Sequence, residues 1–515
     1  MTKLLTRVLL FLSLFVLAGS DTAYAQSSVT SLERVSPPPP VAREFRGVWI
    51  ASVQNIDWPS RTGLSTSEQK QELLEMLDRV VALRMNAVIL QVRPAADALY
   101  VSRYEPWSEY LSGEMGKAPN SYYDPLEFAV NEAHRRGLEF HAWFNPYRAH
   151  HPSGKSAASP DHISRTHPEL VRKYGSYLWM DPGEPAVRQH SLRVILDVVK
   201  RYDIDGVHID DYFYPYKEKD SRGKVIDFPD GRSWRRYVAS GGKQSRDDWR
   251  RSNVDSLIHQ VYVGIKASKP WVKFGISPFG VWRPGNPPQI GGLDSFAELY
   301  GDSRKWLMNG WADYFTPQLY WPIGREDMSY PVLLKWWVEQ NATGKHIWPG
   351  NYSDEVTGTS SGWDAQEILD QIAATRAQPG ATGNVFFSMR SLMTGRGGLP
   401  ERLEAGPYAS KALVPVSPWL DSVPPAAPIV RVGRDGRTDA VTLALQPQGS
   451  EATWLWVIRA RVGNEWATDI IPGMQRSYTI PPIAGVASPN AIAVSAIDRS
   501  GNASAQVIYG LNPPR

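Results

Sequence analysis

Asp205-Gly206-Val207-His208-Ile209-Asp210-Asp211 decides how this chain is read. Side chains alternate along a strand. Val207 and Ile209 therefore share an apolar face, and Gly206, His208 and Asp210 share the opposite one. A strand that lays an apolar face on helices and carries polar groups to its C-terminal end suits a (β/α)8 barrel, where active sites form at that end. Burying a carboxylate is costly, so Asp210 in this register points to chemistry. Asp211 starts the following loop and can turn either way.

Outward from this stretch, short apolar strands alternate with helical segments, the pattern of parallel β/α units. Eight strands are expected, near 46–52, 86–92, 138–144, 205–210, 272–277, 313–319, 346–350 and 384–389. Helices are expected at 67–84, 125–136, 186–202, 253–268, 331–341 and 363–377, among others. The fold class read from this is α/β, a TIM barrel over 43–410. An open doubly wound sheet is the alternative. It calls for a glycine-rich phosphate loop after the first strand, and Trp49-Ile50-Ala51-Ser52-Val53-Gln54 is not one.

The same alternation brings further groups to the mouth. Gln91 and Arg93 share a face of the second strand, and His141, Trp143 and Asn145 share one of the third. Gly275 and Ser277 form the inward pair of the fifth strand. Thr316, Gln318 and Tyr320 share a face of the sixth, with Trp321 beside them. Asp210 and Asp211 are the expected catalytic pair. Gln91, Arg93, His141, Trp143, Asn145, His208, Gln318, Tyr320 and Trp321 are the expected substrate contacts. Satisfied polar layers also fill some barrel interiors, a competing reading that bears most on His141 and His208.

The ends of the chain carry different signals. Lys3 and Arg7 precede an apolar run from Val8 to Ala18, and Ala23-Tyr24-Ala25 has the small-x-small pattern of a cleavage site. Residues 1–25 read as a signal peptide, with an uncleaved anchor as the alternative. The run is short for a bilayer span. A periplasmic or secreted protein is expected, without stable membrane insertion after signal removal. There is no cysteine, hence no disulfide and no lipid-bearing Cys. Residues 26–42 form a Pro/Ser-rich leader, and 411–427 a proline-rich linker. Beyond it, strand-like runs at 429–432, 440–445, 453–461, 465–470, 476–480 and 491–497 predict a small β-sandwich over 428–515. Residues 491–502 are similar to the late strand and turn of fibronectin type III domains.

A formal net charge of +3 makes no case for nucleic acid as a partner. Twenty Trp and 23 Tyr say more, since flat aromatic faces suit sugar rings, although most of them are expected in the core. There is no His-Glu-x-x-His motif and no cysteine nucleophile. Paired His ligands at metal spacing are missing, so no metal and no other cofactor are expected; metal-dependent hydrolysis is a minor alternative. A carboxylate mouth lined with Trp, Tyr, Gln, Asn and Arg fits cleavage of a glycosidic bond, in which one carboxylate stabilises or attacks the oxocarbenium-like centre and a second protonates the leaving oxygen. Glu105 and Asp97, after the second strand, are further carboxylates to consider for the acid, although each is more often a loop salt-bridge partner. A non-catalytic glycan-binding barrel and an α-glucan hydrolase of amylase type are the competing functions.

Several longer stretches carry a resemblance. They are Phe45-Arg46-Gly47-Val48-Trp49, Gln91-Val92-Arg93-Pro94 with Asp97, Glu105-Pro106-Trp107-Ser108, His141 to Arg148, Asp205 to Pro215, Phe274 to Gly280, and Pro317-Gln318-Leu319-Tyr320-Trp321. Together they resemble the glycosyl-hydrolase-like secreted (β/α)8 barrel family that includes the divisome-localised glycosyl hydrolase. The resemblance implies an exported glycoside hydrolase acting on a polysaccharide partner. For the divisome member it implies peptidoglycan glycan strands stripped of stem peptides. That member is a lipoprotein, and this chain lacks the Cys such an anchor needs. The Asp-Gly-x-x-x-Asp pattern at 205–210 is also similar to the fourth-strand nucleophile motif of α-amylase-like and α-galactosidase-like barrels. That likeness implies Asp210 as nucleophile or stabilising base. It leaves the acid open. Ser277 to Trp282, after strand five, holds no carboxylate; Glu326 and Asp327 follow strand six; Asp211 is adjacent to Asp210. The long charged segment from Lys217 to Arg251 has two readings, a wall for a groove that holds an extended polymer and a flexible solvated insertion.

Overall fold

The computed structural model describes residues 36–359, 362–482 and 487–511. The expected signal peptide and most of the leader lie outside the described residues. Among the described residues no helix is long and apolar enough to cross a membrane. The chain divides into two compact units, one made of Glu44–His134 and Leu138–Pro407, the other chiefly of Tyr408–Arg515.

The large unit is built on nine parallel strands. They are β1 (Phe45–Ile50), β2 (Ala87–Arg93), β3 (Glu139–Phe144), β4 (Gly206–Ile209), β5 (Lys273–Ile276), β6 (Tyr314–Phe315), β7 (His346–Ile347), β8 (Gly350–Asn351) and β9 (Gly383–Phe386). Their order in the sheet is β7-β6-β5-β4-β3-β2-β1-β9-β8. The two ends of this order, β7 and β8, are separated in sequence only by Trp348-Pro349. Ile347 makes a further parallel bridge to Ala381, just ahead of β9, and Gln318 makes one to Gly350. The sheet is therefore curled. Every residue of β1 to β5 is buried, as expected of parallel strands covered by helices. The strand expected at 313–319 is regular only over Tyr314–Phe315, because Pro317 has no N–H for the ladder. Gln318 resumes the line with single bridges to Phe279 and Gly350.

Local sequence explains where the helices start. Ser65 and Glu68 form a capping box ahead of the helix Thr66–Ala82. The helix expected at 253–268 begins earlier, at Arg246, because Ser245 accepts from the Asp248 N–H and Asp247 and Asp248 occupy the positive first turn. That start, with the helix Gly231–Ala239, organises much of the charged segment after β4. A small antiparallel sheet of 148–150, 171–174 and 177–180, not expected from the sequence, follows β3.

Two inward glycines make room for interior rings. A Cβ on Gly206 would lie 2.4 Å from His141 Nδ1, and one on Gly275 only 1.8 Å from Tyr314 Cζ. Gly275→Ala is therefore expected to destabilise the large unit by roughly 1–3 kcal/mol through overpacking. A denaturant melt of this variant checks it, and a wild-type midpoint would mean that Tyr314 has room to swing aside.

In the small unit, Ile429–Arg434, Val441–Gln446 and Ser477–Ile480 form one antiparallel sheet. Glu465–Pro472, Leu455–Val462, Ala491–Ile497 and Val507–Gly510 form a second. Alternate residues Val441, Leu443 and Leu445 of the first sheet join Trp456, Ile458, Ile492 and Val494 of the second in one core. The strand at 507–510 was not among the expected ones.

Candidate active site

A polar ladder rises inside the curled sheet. At its foot Glu139 on β3 accepts from Lys273 Nζ on β5 at 2.8 Å and meets His141 Nε2 at 3.1 Å. Tyr314 OH on β6 lies 2.8 Å from His141 Nδ1 and 3.0 Å from His208 Nδ1. Trp49 Nε1 on β1 lies 3.2 Å from His208 Nε2, and Ser277 Oγ lies 2.8 Å from the same nitrogen. An indole N–H only donates, so His208 Nε2 accepts and its proton sits on Nδ1. Burial, helped by His141, holds the His208 pKa well below its ordinary value, consistent with a neutral ring. Nδ1–H then donates to Tyr314, whose hydroxyl donates to His141 Nδ1, leaving His141 Nε2–H for Glu139. His141 and His208 are fully buried in this ladder. They were expected to contact substrate; their ring nitrogens are instead spent on neighbouring strands, below the mouth.

The next layer carries the carboxylates. Gln91 Oε1 on β2 accepts from the backbone N–H groups of Ser52 at 3.0 Å and Val53 at 2.9 Å. That fixes the amide, so Gln91 Nε2 faces Asn145 Oδ1, 2.6 Å away. Asn145 in turn must present its Nδ2 to Asp210, 2.8 Å from Oδ1 and 2.7 Å from Oδ2. Trp143 Nε1 donates to Asp210 Oδ2 at 3.2 Å, and the Tyr212 N–H to Oδ1 at 3.3 Å. Asp211 turns to the other side, where Gln318 Nε2 donates to Oδ1 at 3.1 Å and the Tyr216 hydroxyl to Oδ2. Burial pushes the Asp210 pKa up to about 7 against the pull of Arg148, with the Asp211 charge adding to the rise. Burial also raises Asp211, opposed by Tyr216 and Gln318.

Two expected members of the site stand elsewhere. The β2–β3 register shifts between Gln91 and Arg93, which pair with Trp143 and Phe144. This bulge at Val92 turns Arg93 to the face opposite Gln91, away from the mouth. There it is fully buried, forked on Glu105 at 2.7 and 2.5 Å, and donates to the Asn145 carbonyl. Glu105 also meets His190 Nε2 at 2.8 Å. Burial pushes Glu105 up, but Arg93 and His190 outweigh it and hold the carboxyl at about 2. Both Glu105 oxygens are spent on Arg93 and His190, so of its two readings it takes that of a salt-bridge partner and not of the acid. Glu326 and Asp327 are exposed, and Asp327 is paired with Arg325 at 3.0 Å. Asp97 is buried, accepts from the Ala95 N–H at 2.7 Å, and is raised to about 6 by burial.

The rim is aromatic. Tyr320, half-buried, stacks on Tyr352 at 5.1 Å, and Trp321 meets Phe279 edge-on at 5.6 Å. Trp143 is only 5% exposed. Trp143→Phe removes one donor from Asp210 and leaves a smaller ring, so kcat should fall roughly 10-fold, the worth of one hydrogen bond, with a modest loss of stability from the space the indole leaves. Steady-state kinetics beside a thermal melt test this, and an unchanged kcat would leave Trp143 a filler only. Tyr216 and Arg148 carry no signal in the alternation of β3 and β4 because both lie beyond those strands, Arg148 in the small antiparallel sheet. Arg148, buried with its guanidinium 4.5 Å above the Tyr212 ring, is the cation nearest in effect to the pair.

The family model described as "Glycosyl hydrolase-like 10" matches residues 44–364. The chain belongs to the glycosyl hydrolase-like 10 family. Within reach of this family chain, the Bacillus subtilis (strain 168) protein "Glycosyl hydrolase YngK" is 42% identical over 438 residues, 83% of this chain and 84% of that one. The Escherichia coli (strain K12) "Glycosyl hydrolase DigH" is 33% identical over 413 residues, 74% of this chain and 92% of that one. A solved glycoside hydrolase domain of PgaB (BpsB) from Bordetella bronchiseptica aligns at 13% identity over 71% of this chain and 98% of that one, with a TM-score of 0.47. The expectation of an enzyme of the glycosyl hydrolase kind agrees with membership of the glycosyl hydrolase-like 10 family.

Proposed function

We propose that this protein hydrolyses glycosidic bonds of a cell-wall or other polysaccharide, with Asp210 and Asp211 as the reacting carboxylates. The observation that carries the reading is the contrast between their partners. Asp210 is met only by obligate donors, an amide NH2, an indole N–H and a backbone N–H. Protonating it sets a proton against one of them. The Tyr216 hydroxyl beside Asp211 can donate or accept, so Asp211 can take a proton and keep its bond. Neighbouring buried carboxylates share a proton readily. It rests on Asp211, and the charge rests on Asp210. Asp211 then protonates the leaving oxygen, and Asp210 is the fixed negative charge beside the oxocarbenium-like centre. Gln318, Tyr320 and Trp321, the half-buried rim groups, hold the sugar.

The finer architecture belongs to the same proposal. We read the curled sheet as a closed (β/α)8 barrel in which β7 and β8 are halves of one strand. The small unit reads as a fibronectin type III-like sandwich, and the N-terminal apolar run as a signal for export to the periplasm or medium. Peptide-free peptidoglycan strands are the first substrate to try, given the resemblance to secreted barrels. The purified protein is expected to release new reducing ends from labelled strands. Binding without release would favour a glycan-binding barrel, and release only from soluble α-glucans would favour an amylase-type enzyme.

A further inference from the structure

We infer that cleavage is substrate-assisted, and that the sugar whose anomeric bond is cut carries a 2-acetamido group that supplies the nucleophile. This rests on the reading of Asp210 and Asp211 as the reacting pair. A protein nucleophile and a protein acid flank the anomeric carbon about 5 Å apart, and an inverting pair stands roughly 6.5–9.5 Å apart with water between. Asp210 and Asp211 are consecutive at the end of one strand, so both carboxylates spring from the same edge of the mouth, one held by Asn145 and Trp143 and the other by Gln318 and Tyr216, and neither comes from an opposing strand. Among the described residues, Glu105, Asp57, Asp354 and Asp97 are buried carboxylates that are candidates for an opposing wall, and each is already engaged. Glu105 is locked on Arg93 and His190. Asp57 is held by the Ala51 N–H at 2.7 Å, Ser388 Oγ at 2.8 Å and the Arg390 N–H at 2.7 Å. Asp354 is paired with Arg390 at 2.9 Å, and Asp97 is fully buried.

Asp210 is also poorly suited to attack. A nucleophile must swing to C1 and form a bond there. Asn145 grips both Asp210 oxygens, Gln91 grips Asn145, and the backbone of Ser52 and Val53 grips Gln91. An anion clamped from behind by a chain ending in backbone is a fixed acceptor. Its longer contacts, from Trp143 at 3.2 Å and the Tyr212 N–H at 3.3 Å, leave room for a closer donor. The N–H of a 2-acetamido group is such a donor, and holding it turns the acetamido carbonyl oxygen towards C1.

The step balances with water as the co-reactant. The acetamido oxygen bonds to C1 as the glycosidic C1–O bond breaks, and the leaving oxygen takes the electron pair and the Asp211 proton. Asp210 accepts the hydrogen bond of the N–H as positive charge grows on the oxazolinium. Ionised Asp211 then removes a proton from water, water oxygen bonds to C1, and the C1–O bond to the acetamido oxygen breaks. The acetamide is restored and the anomeric configuration is retained.

The test uses the full chain and peptide-free peptidoglycan strands. The strands are used as N-acetyl polymer, after de-N-acetylation, after re-N-acetylation and after N-trifluoroacetylation. The fluorines weaken the carbonyl as a nucleophile while keeping its bulk, so kcat should fall about 100-fold with KM within about 3-fold, and de-N-acetylated strands should be inert until re-acetylated. The thiazoline of N-acetylglucosamine should inhibit competitively. Equal kcat on acetyl and trifluoroacetyl strands, or an ester to Asp210 trapped with a 2-fluoro sugar, would overturn the inference while leaving the pair as reacting groups. An Asp210→Asn variant with wild-type activity would instead remove the pair, and the inference with it.

Discussion

Asp210→Asn should lower kcat on a glycan by roughly 10³-fold or more, because the charge opposite the developing cation is lost while the shape is kept. Asn145 still finds an oxygen to donate to, and the new NH2 faces one of the longer donors, Trp143 or the Tyr212 N–H, as the proton of a neutral carboxyl there would, so the mouth should hold its form. Stability separates loss of chemistry from loss of fold. Burial raises both carboxyls of the pair, and the raised value of about 7 belongs to the proton they share, which rests on Asp211. A carboxyl raised in the folded state ionises freely only when the chain unfolds, so its cost to stability grows as pH rises from about 4 to about 7. The amide carries no such cost. The variant should therefore match wild type in denaturant melts near pH 4 and equal or exceed it near pH 7. Full kcat in a folded variant would take Asp210 out of the reaction.

Glu105→Ala should cost about 3–5 kcal/mol of stability, since it strands the Arg93 guanidinium, itself fully buried, without its partner. The sign of the pH effect is opposite to that at Asp210. Glu105 falls from 4.5 to about 2 in the folded chain, so its contribution is complete above about pH 4.5 and is lost as pH falls towards 2. Acid titration of wild type and variant, followed by melts, checks both halves. The gap between them should close as pH falls through that window. A gap that persists to pH 2 would mean the damage is a packing defect and not a lost ion pair.

Strand alternation was enough to read most of this large unit. His208 and Asp210 share an inward face because β4 is regular, and the same holds for His141, Trp143 and Asn145 on β3. What alternation cannot give is depth along the axis. His141 and Asn145 share a face but sit at different levels, and only the upper one meets a reacting carboxylate. It also fails where the period breaks, as at Val92, and where the chain has left the parallel sheet, as at Arg148 and Tyr216. Buried carboxylates were visible as a class, but whether each is spent depends on partners far away in sequence. Glu105 waits on His190 and Asp57 on Ser388.

The single extra residue at Val92 works as electrical insulation. Strict alternation would send two polar side chains of β2, Gln91 and Arg93, into one interior. A guanidinium there would fork onto the nearest carboxylate, hold it permanently ionised and fill the space where a sugar must sit. The phase slip sends the permanent charge to the outer side, where Glu105 neutralises it. Inside it leaves a neutral amide that can orient an anion without discharging it. One strand thus serves two compartments of different polarity, and the irregularity is the wall between them.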